Sequence, residues 1–406
     1  MSKKETILYV GNFSFPLGNA AGKRVYANGK ILRELGYKVV FIGMDKEINS
    51  SETLKSTQNE YDGFTYYNFP YPNKNLDWLN YRTIFNKLIE LLISEEIIND
   101  LDFIICYGSP RLSFFITKII NNLKKYNIKV VTDSVDWLTI KTNNFIFDLI
   151  KWADNTYQMA YANKKAAGVI AISSYLANYY KKNGRLTVTI PSLSPFDYSL
   201  MEPNLICNDR KVITYAGLPF RKGQEIKNCN NLKDRIDKTI KLFYHAKQNS
   251  CEFIFNIYGF TKEEYLIVLP EQKKYIDELN DSIFFHGYKS NEEVTASILN
   301  SDYSIFIRDV NRDTSAGFPT KFSESISLGT PVITTRTSDL ANYLVEGLNG
   351  FFLDFDDEIA QQQLNKILSN DSSSVLKMKK YCIENNPLYY MHFIDVMRTF
   401  LKELER

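Results

Sequence analysis

Short apolar runs rich in β-branched residues alternate along the chain with longer stretches whose apolar positions recur every three to four residues. This pattern predicts strands separated by amphipathic helices. In the first half the predicted strands are 7–10, 38–42, 103–106, 130–132, 168–172 and 188–190, with a helix over 24–35 stopped by Gly36. The pattern fades over 192–210, where Pro195 and Pro203 interrupt it, and that segment reads as a linker. It restarts at 211–217 and predicts strands at 253–257, 283–285, 303–307 and 332–334, with helices near 233–248, 291–300 and 319–328. Such alternation implies an α/β fold with two Rossmann-like doubly wound parallel-sheet domains, their strand ends facing across a cleft where open sheets bind ligands. The expected limits are 1–195 for the first domain and 208–385 for the second, followed by an amphipathic helix over 386–406.

The densest chemistry lies in Gly317-Phe318-Pro319-Thr320-Lys321-Phe322-Ser323-Glu324, followed by Gly329-Thr330-Pro331-Val332-Ile333. It reads as a loop, a helix opened by Pro319 in its first turn, a glycine stop and a buried strand. Helix amides and the helix dipole attract an anion, while a carboxylate at Glu324 is placed to accept hydrogen bonds from vicinal hydroxyls. In the first half, Gly18-Asn19-Ala20-Ala21-Gly22-Lys23-Arg24 is a small-residue loop that would let a phosphate approach the backbone, although it is not a dinucleotide fingerprint. Asp133 and Asp136 end a predicted strand and are candidate acceptor contacts.

Charge narrows the partners. Lys plus Arg number 49 against 47 Asp plus Glu, so nothing indicates a nucleic-acid field, and any anion must be met by local groups. Five scattered cysteines lack zinc or disulfide spacing, so no metal and no organic cofactor is expected. With no apolar run of membrane-spanning length and no signal-peptide pattern, the expected location is the cytoplasm. The stretches 76–98 and 145–165 mix aromatic, apolar and basic residues at helical spacing, a pattern shared by core helices and by helices that lie on an anionic membrane.

In its order of segments the chain resembles the GT-B retaining glycosyltransferases of family four, known as glycosyl transferases group 1. The matching pieces are Thr214-Tyr215-Ala216-Gly217, Lys233-Asp234-Arg235-Ile236-Asp237, Phe285-His286-Gly287-Tyr288, the Phe318–Lys321 run with Glu324, Gly329 to Ile333, and in the first half 168–173 with Ile190-Pro191. The resemblance implies transfer of a hexose-type sugar from a nucleotide-sugar donor to a saccharide or lipid-linked acceptor, in capsule, lipopolysaccharide or other bacterial surface polysaccharide synthesis. It also implies a tail that crosses back to the first domain, and peripheral attachment at the inner face of the membrane.

Carried over residue by residue, Glu324, Lys233 and Asp309 fall in catalytic positions. Gly22, Lys23, Arg24, Gly217, Arg221, Lys222, Gly259, Gly287, Tyr288, Phe318, Pro319, Thr320 and Lys321 fall on the donor side, and Ser109, Asp133 and Asp136 on the acceptor side. Two departures stand out. Ala316 occupies the position of the first acid in the usual Glu-x7-Glu pair, so either Asp309 or Asp313 takes its place or the donor sugar is recognised differently; Arg308 and Arg312 of the same run could contact an anionic or unusual sugar, although an exposed charged loop gives the same pattern. The loop after Cys106 reads Tyr107-Gly108-Ser109-Pro110 where the family often has a histidine. Retaining enzymes of this type are thought to pass the acceptor proton to the leaving phosphate. The stretch 223–232 reads as an insertion relative to the family, leaving open which basic residue reaches the phosphates. Two further classes fit the pattern: a non-catalytic GT-B partner subunit, and a GT-B nucleotide-sugar epimerase.

Overall fold

The structure is a computed structural model that describes residues 5–48, 53–71, 81–108, 113–137, 139, 145–196, 210–220 and 232–406. Ser109, Arg221, Lys222, nearly all of the predicted insertion at 223–232 and most of the predicted linker lie outside the described residues. The chain divides into two compact units: Met1–Pro195 with Ser315–Phe318 and Tyr389–Arg406, and Phe196–Thr314 with Pro319–Leu388.

Described strands of the first unit are β1 (Thr6–Gly11), β2 (Lys38–Asp45), β3 (Asn59–Tyr61), β4 (Phe64–Pro70), β5 (Leu101–Tyr107), β6 (Lys129–Ser134), β7 (Gly168–Ala171) and β8 (Thr187–Thr189). They join in the order β3-β4-β2-β1-β5-β6-β7-β8, parallel throughout except for β3 against β4. Helices α1 (Ala20–Glu34), α2 (Tyr81–Ser94), α3 (Ile97–Asp100), α4 (Ser113–Leu123), α5 (Phe145–Tyr157), α6 (Asn163–Lys165) and α7 (Ser174–Lys182) connect them. β1 is buried along its whole length, as expected of a central parallel strand covered on both faces. Asn19 caps α1 by accepting from the Gly22 amide at 2.7 Å, so this helix starts four residues before the predicted Arg24. The stretch expected near 76–98 supplies α2, which turns Phe85, Leu88, Leu91 and Leu92 into the core and so behaves as an ordinary core helix.

In the second half of the chain β9 (Lys211–Ala216), β10 (Phe253–Tyr258), β11 (Ile283–Phe285), β12 (Tyr303–Phe306), β13 (Val332–Thr335) and β14 (Gly350–Leu353) form an all-parallel sheet in the order β11-β10-β9-β12-β13-β14. Its helices are α8 (Ile236–Gln248), α9 (Lys262–Val268), α10 (Lys273–Glu278), α11 (Asn291–Leu299), α12 (Arg312–Ala316), α13 (Thr320–Ser327), α14 (Asp357–Leu368) and α15 (Ser372–Glu384), and α16 (Ile394–Glu405) returns to the first unit. Numbered within its own sheet, this strand order is 3-2-1-4-5-6. The topology reverses between β9 and β12, and ligands of such sheets bind outside the carboxyl ends at that point. Thr261 and Ser290 close capping boxes on α9 and α11. Pro319 is the residue before α13 rather than within its first turn, with extended ψ of 109° and no capping side chain.

Candidate active site

At the carboxyl edge of the second sheet, neighbouring strands β9, β10 and β11 run out into Gly217, Gly259 and Gly287. The ladder continues past their ends, with the Gly217 amide donating to Tyr258 at 2.9 Å and the Gly259 amide to Gly287 at 2.8 Å. Gly259 has φ +117, and a Cβ there would overlap the Gly217 carbonyl oxygen. A Cβ on Gly217 would lie 2.5 Å from Lys321 Nζ. The rim therefore presents bare backbone, and the space beside Gly217 is taken by an ammonium.

That ammonium is held from below. Asp234, in the loop between β9 and α8, is fully buried and accepts from Arg308 Nε at 2.6 Å, Lys321 Nζ at 2.9 Å and the Tyr215 hydroxyl at 3.0 Å. Burial alone would raise its pKa, but Arg308 and Lys321 outweigh burial and hold the carboxyl far below the usual carboxylate range. Burial, and then Asp234 itself, push the Tyr215 phenol well above its ordinary value, so it acts as a neutral donor. Two cations against one carboxylate leave the cluster with one net positive charge. Arg308 is buried, whereas Lys321 is 20% exposed and lies over the Tyr215 ring, so the surplus charge reaches solvent through Lys321. Glu324 follows Lys321 by three residues on α13, which puts the two on one helix face.

A second network sits alongside. Arg235 pairs with Asp237 at 2.8 Å and with Asp309, and Lys238 approaches Asp309 at 3.7 Å. Burial opposes the Arg235 charge, but its bonds to Asp237 and then Asp309 raise its pKa above the ordinary value. Asp309 is thus engaged by Arg235 and Lys238, and Ala316 is buried. Asp313 lies beside Arg312, its own chain neighbour, at 3.9 Å. Lys233 is exposed, its amide donating to Pro219 at 3.3 Å. Thr320 is half-buried, Phe318 buried, and Tyr288 is 84% exposed. A cavity of about 570 Å³ opens on the sheet face between β10 and α11, lined by Asn256, Tyr258, His286, Lys289 and Ser297. There His286 stacks on Tyr258 at 4.4 Å with Nε2 2.8 Å from Asn256 Oδ1, and burial followed by Lys289 lowers its pKa.

The first unit corrects two expectations. Arg24 and Asp133 do not present their charges to a ligand. They form a buried pair, with Arg24 Nη2 2.7 Å from Asp133 and Nη1 donating to the Ile190 and Pro191 carbonyls at 2.9 and 2.8 Å. The Tyr9 hydroxyl also donates to Asp133, and Asn28 donates to Tyr9. Burial opposes the charge on Arg24, yet Asp133 beside it keeps the guanidinium more firmly protonated than usual. With Nε, Nη1 and Nη2 of Arg24 all engaged, this pair locks α1 to β6 and to the segment after β8. The small size of Gly22 has a packing cause, since a Cβ there would run into the Ser14 carbonyl and come within 3.0 Å of the Pro16 carbonyl. Lys23 and Asp136 are half-buried.

Asp234, Arg235 and Tyr215 thus build the site although none of them stood among the candidate site residues, and Arg308, weighed as a sugar contact, is instead paired with the buried Asp234. Asp234 and Arg235 lie in the Lys-Asp-Arg-Ile-Asp run, read for its lysine rather than for its buried aspartate, and Tyr215 lies in the Thr-Tyr-Ala-Gly run, read for its glycine.

Residues 230–388 match the family model described as glycosyl transferases group 1. The chain is a glycosyltransferase. Its fold agrees: sucrose-phosphate synthase from Thermosynechococcus elongatus superposes with a TM-score of 0.67 at 14% identity, covering 98% of this chain and 99% of that one. The starch synthase IV catalytic domain from Arabidopsis thaliana, bound to ADP and acarbose, gives 0.64 at 11% identity with 100% of both chains covered. HepE from Anabaena, in complex with UDP, gives 0.61 at 14% identity, covering 98% of this chain and 100% of that one. At these identities the likeness establishes the GT-B fold. No curated protein matches this glycosyltransferase in sequence.

Proposed function

We propose that this glycosyltransferase moves a sugar, with retention of anomeric configuration, from a nucleoside-diphosphate donor to a saccharide or lipid-linked acceptor in bacterial surface polysaccharide or lipopolysaccharide assembly, working from the cytoplasmic face of the membrane. One observation carries the reading: Arg308 and Lys321 close on a single buried carboxylate at the switch point of the second sheet, and Lys321 brings the remaining positive charge to the glycine rim. As the bond from the anomeric carbon to the phosphate oxygen breaks, the diphosphate gains negative charge. A fixed ammonium stabilises that charge more in the transition state than in the ground state. Lys233 is the second cation in this scheme, and Glu324 accepts from donor hydroxyls. The acceptor oxygen forms the new bond to the anomeric carbon, and its proton passes to the departing phosphate oxygen. The diphosphate charge is met by side chains rather than by a metal. UDP and ADP in the solved HepE and starch synthase complexes support a nucleoside diphosphate as the leaving group.

The test pairs thermal stabilisation with release of nucleoside diphosphate across UDP-, GDP-, ADP- and CDP-sugars. One base class is expected to stabilise the fold by about 2.7 kcal/mol at roughly 100 times its dissociation constant. Lys321→Met should abolish release, and the anomeric proton coupling of the product should match that of the donor. No stabilisation and no release with any donor would refute the proposal and favour a non-catalytic partner subunit.

A further inference from the structure

The face of β10 turned toward α11 is only half covered. An internal strand of an all-parallel sheet is ordinarily apolar and buried on both sides. Phe253, Phe255 and Ile257 follow that rule on one side of β10, whereas Ile254, Asn256 and Tyr258 on the other are partly exposed. The register sets Val212 beside Ile254, and Phe284, 39% exposed, beside Asn256, so the open area extends over both neighbouring strands. Helix α11, which stands over this face, buries only Ile298. Polar bonds fix its C-terminal end instead: Thr214 bonds to Ser301 at 2.7 Å and to Ser297 at 3.2 Å, and Thr330 donates to the Ile298 carbonyl at 2.7 Å. The buried Lys379 donates to the Leu299 and Ser301 carbonyls at 3.0 and 2.7 Å. The cavity of about 570 Å³ between helix and sheet is therefore preformed, and it has the size that takes a small ligand. It passes from His286, beside the glycine rim, down to Val212 and Ile254 near the start of their strands, away from the donor-side cluster at the strand ends.

The lining selects a class of ligand. Lys289 and Glu293 pair at 3.3 Å, and burial followed by Lys289 keeps His286 neutral near pH 7, so the walls carry no net charge. The Tyr258 and His286 rings lie 13° from parallel and offer a flat aromatic surface. Asn256 Oδ1 accepts from His286 Nε2, which leaves the ring Nδ1 as an acceptor and the amide Nδ2 as a donor, neither with another partner among the described residues. A sugar is the complement of such a wall, because its C–H face packs on an aromatic ring and each of its hydroxyls both donates and accepts.

We propose that this cavity is a second saccharide site, which holds a neutral sugar chain apart from the point of transfer. The inference rests on the proposed function for the saccharide nature of the acceptor, and binding is read without donor so that the two fail separately. The full chain is applied to an array of neutral and uronate-bearing oligosaccharides, and the affinity for each retained glycan is measured by titration calorimetry. Neutral glycans are expected to bind, and saturating UDP, GDP, ADP or CDP should leave them bound. Asn256→Leu, and separately Ala296→Trp on the exposed flank of α11, should each weaken binding about tenfold or more at unchanged melting temperature. Lys321→Met, which removes the donor-side ammonium, should bind the glycan as the wild type does. Retention of no neutral glycan by the wild type, or equal binding by both cavity variants, would overturn the proposal. So would retention of uronate-bearing glycans alone, or displacement of the glycan by a nucleoside diphosphate, since the latter would assign the cavity to the donor.

Discussion

Asp234→Asn isolates the charge at the centre of the donor-side cluster while keeping its shape. The wild-type carboxylate accepts from Arg308, Lys321 and Tyr215 with almost no exposure to water. The amide retains one oxygen acceptor but leaves Arg308 buried without a counter-charge. Removing one partner of a buried pair costs about 3–5 kcal/mol, and the retained hydrogen bond and the partial exposure of Lys321 reduce this to roughly 2–4 kcal/mol. For a unit of this size that is a fall in melting temperature of about 4–16 °C. Asp234 has a folded-state pKa below the unfolded value of about 3.9, so its stabilisation is fully present above that value and is lost as pH falls toward the folded value. The gap between wild type and Asp234→Asn should therefore be constant from pH 8 to 5 and narrow below about pH 4. Scanning calorimetry of both proteins from pH 3 to 8, with Lys321→Met and the double variant to extract the coupling, measures each quantity. A melting temperature unchanged by the substitution at pH 7, or a gap that widens below pH 4, would refute the assignment of Asp234 as a charged anchor.

Other substitutions separate site chemistry from packing. Lys321→Met and Glu324→Gln should each lower turnover by about 100-fold or more with little loss of stability, while Lys233→Met should show the smaller effect; steady-state kinetics of diphosphate release ranks the three. Gly217→Ala should displace the flexible Lys321 ammonium and reduce kcat/KM about tenfold, whereas Gly259→Ala, which meets backbone, should cost about 1–3 kcal/mol in stability, a contrast that denaturant titration detects. Arg24→Met strands Asp133 in the core of the first unit and should destabilise the protein by about 3–5 kcal/mol; wild-type melting in that variant would count against a buried pair.

The local pattern was enough to determine where strands and helices form, because a period of two or of 3.6 residues is written in neighbouring positions. Strands β1, β2, β5 to β13 and the helices over 236–248 and 291–299 lie within a few residues of their predicted places. The same physics offered signals that went unread: Asp62-Gly63, with φ of 48° and 72°, turns β3 into β4, and the strand Gly350–Leu353 follows a glycine turn at Gly347. The run from Phe318 to Glu324 could be picked out because its loop, helix and stop are contiguous. Partnership could not. Asp234 meets Arg308 across 74 residues and Arg24 meets Asp133 across 109, because strand order in the sheets brings their ends together. Whether a charged residue is a solvated ligand-binding group or a buried anchor depends on that order, as Arg24 and Asp133 demonstrate. The stretches 76–98 and 145–165 make the same point: their compositions are alike, yet the first turns Phe85, Leu88, Leu91 and Leu92 into the core while the second leaves Ile146, Leu149 and Ile150 exposed. Periodicity specifies that a face exists, and only the polar contacts available where the helix lands decide which face is buried.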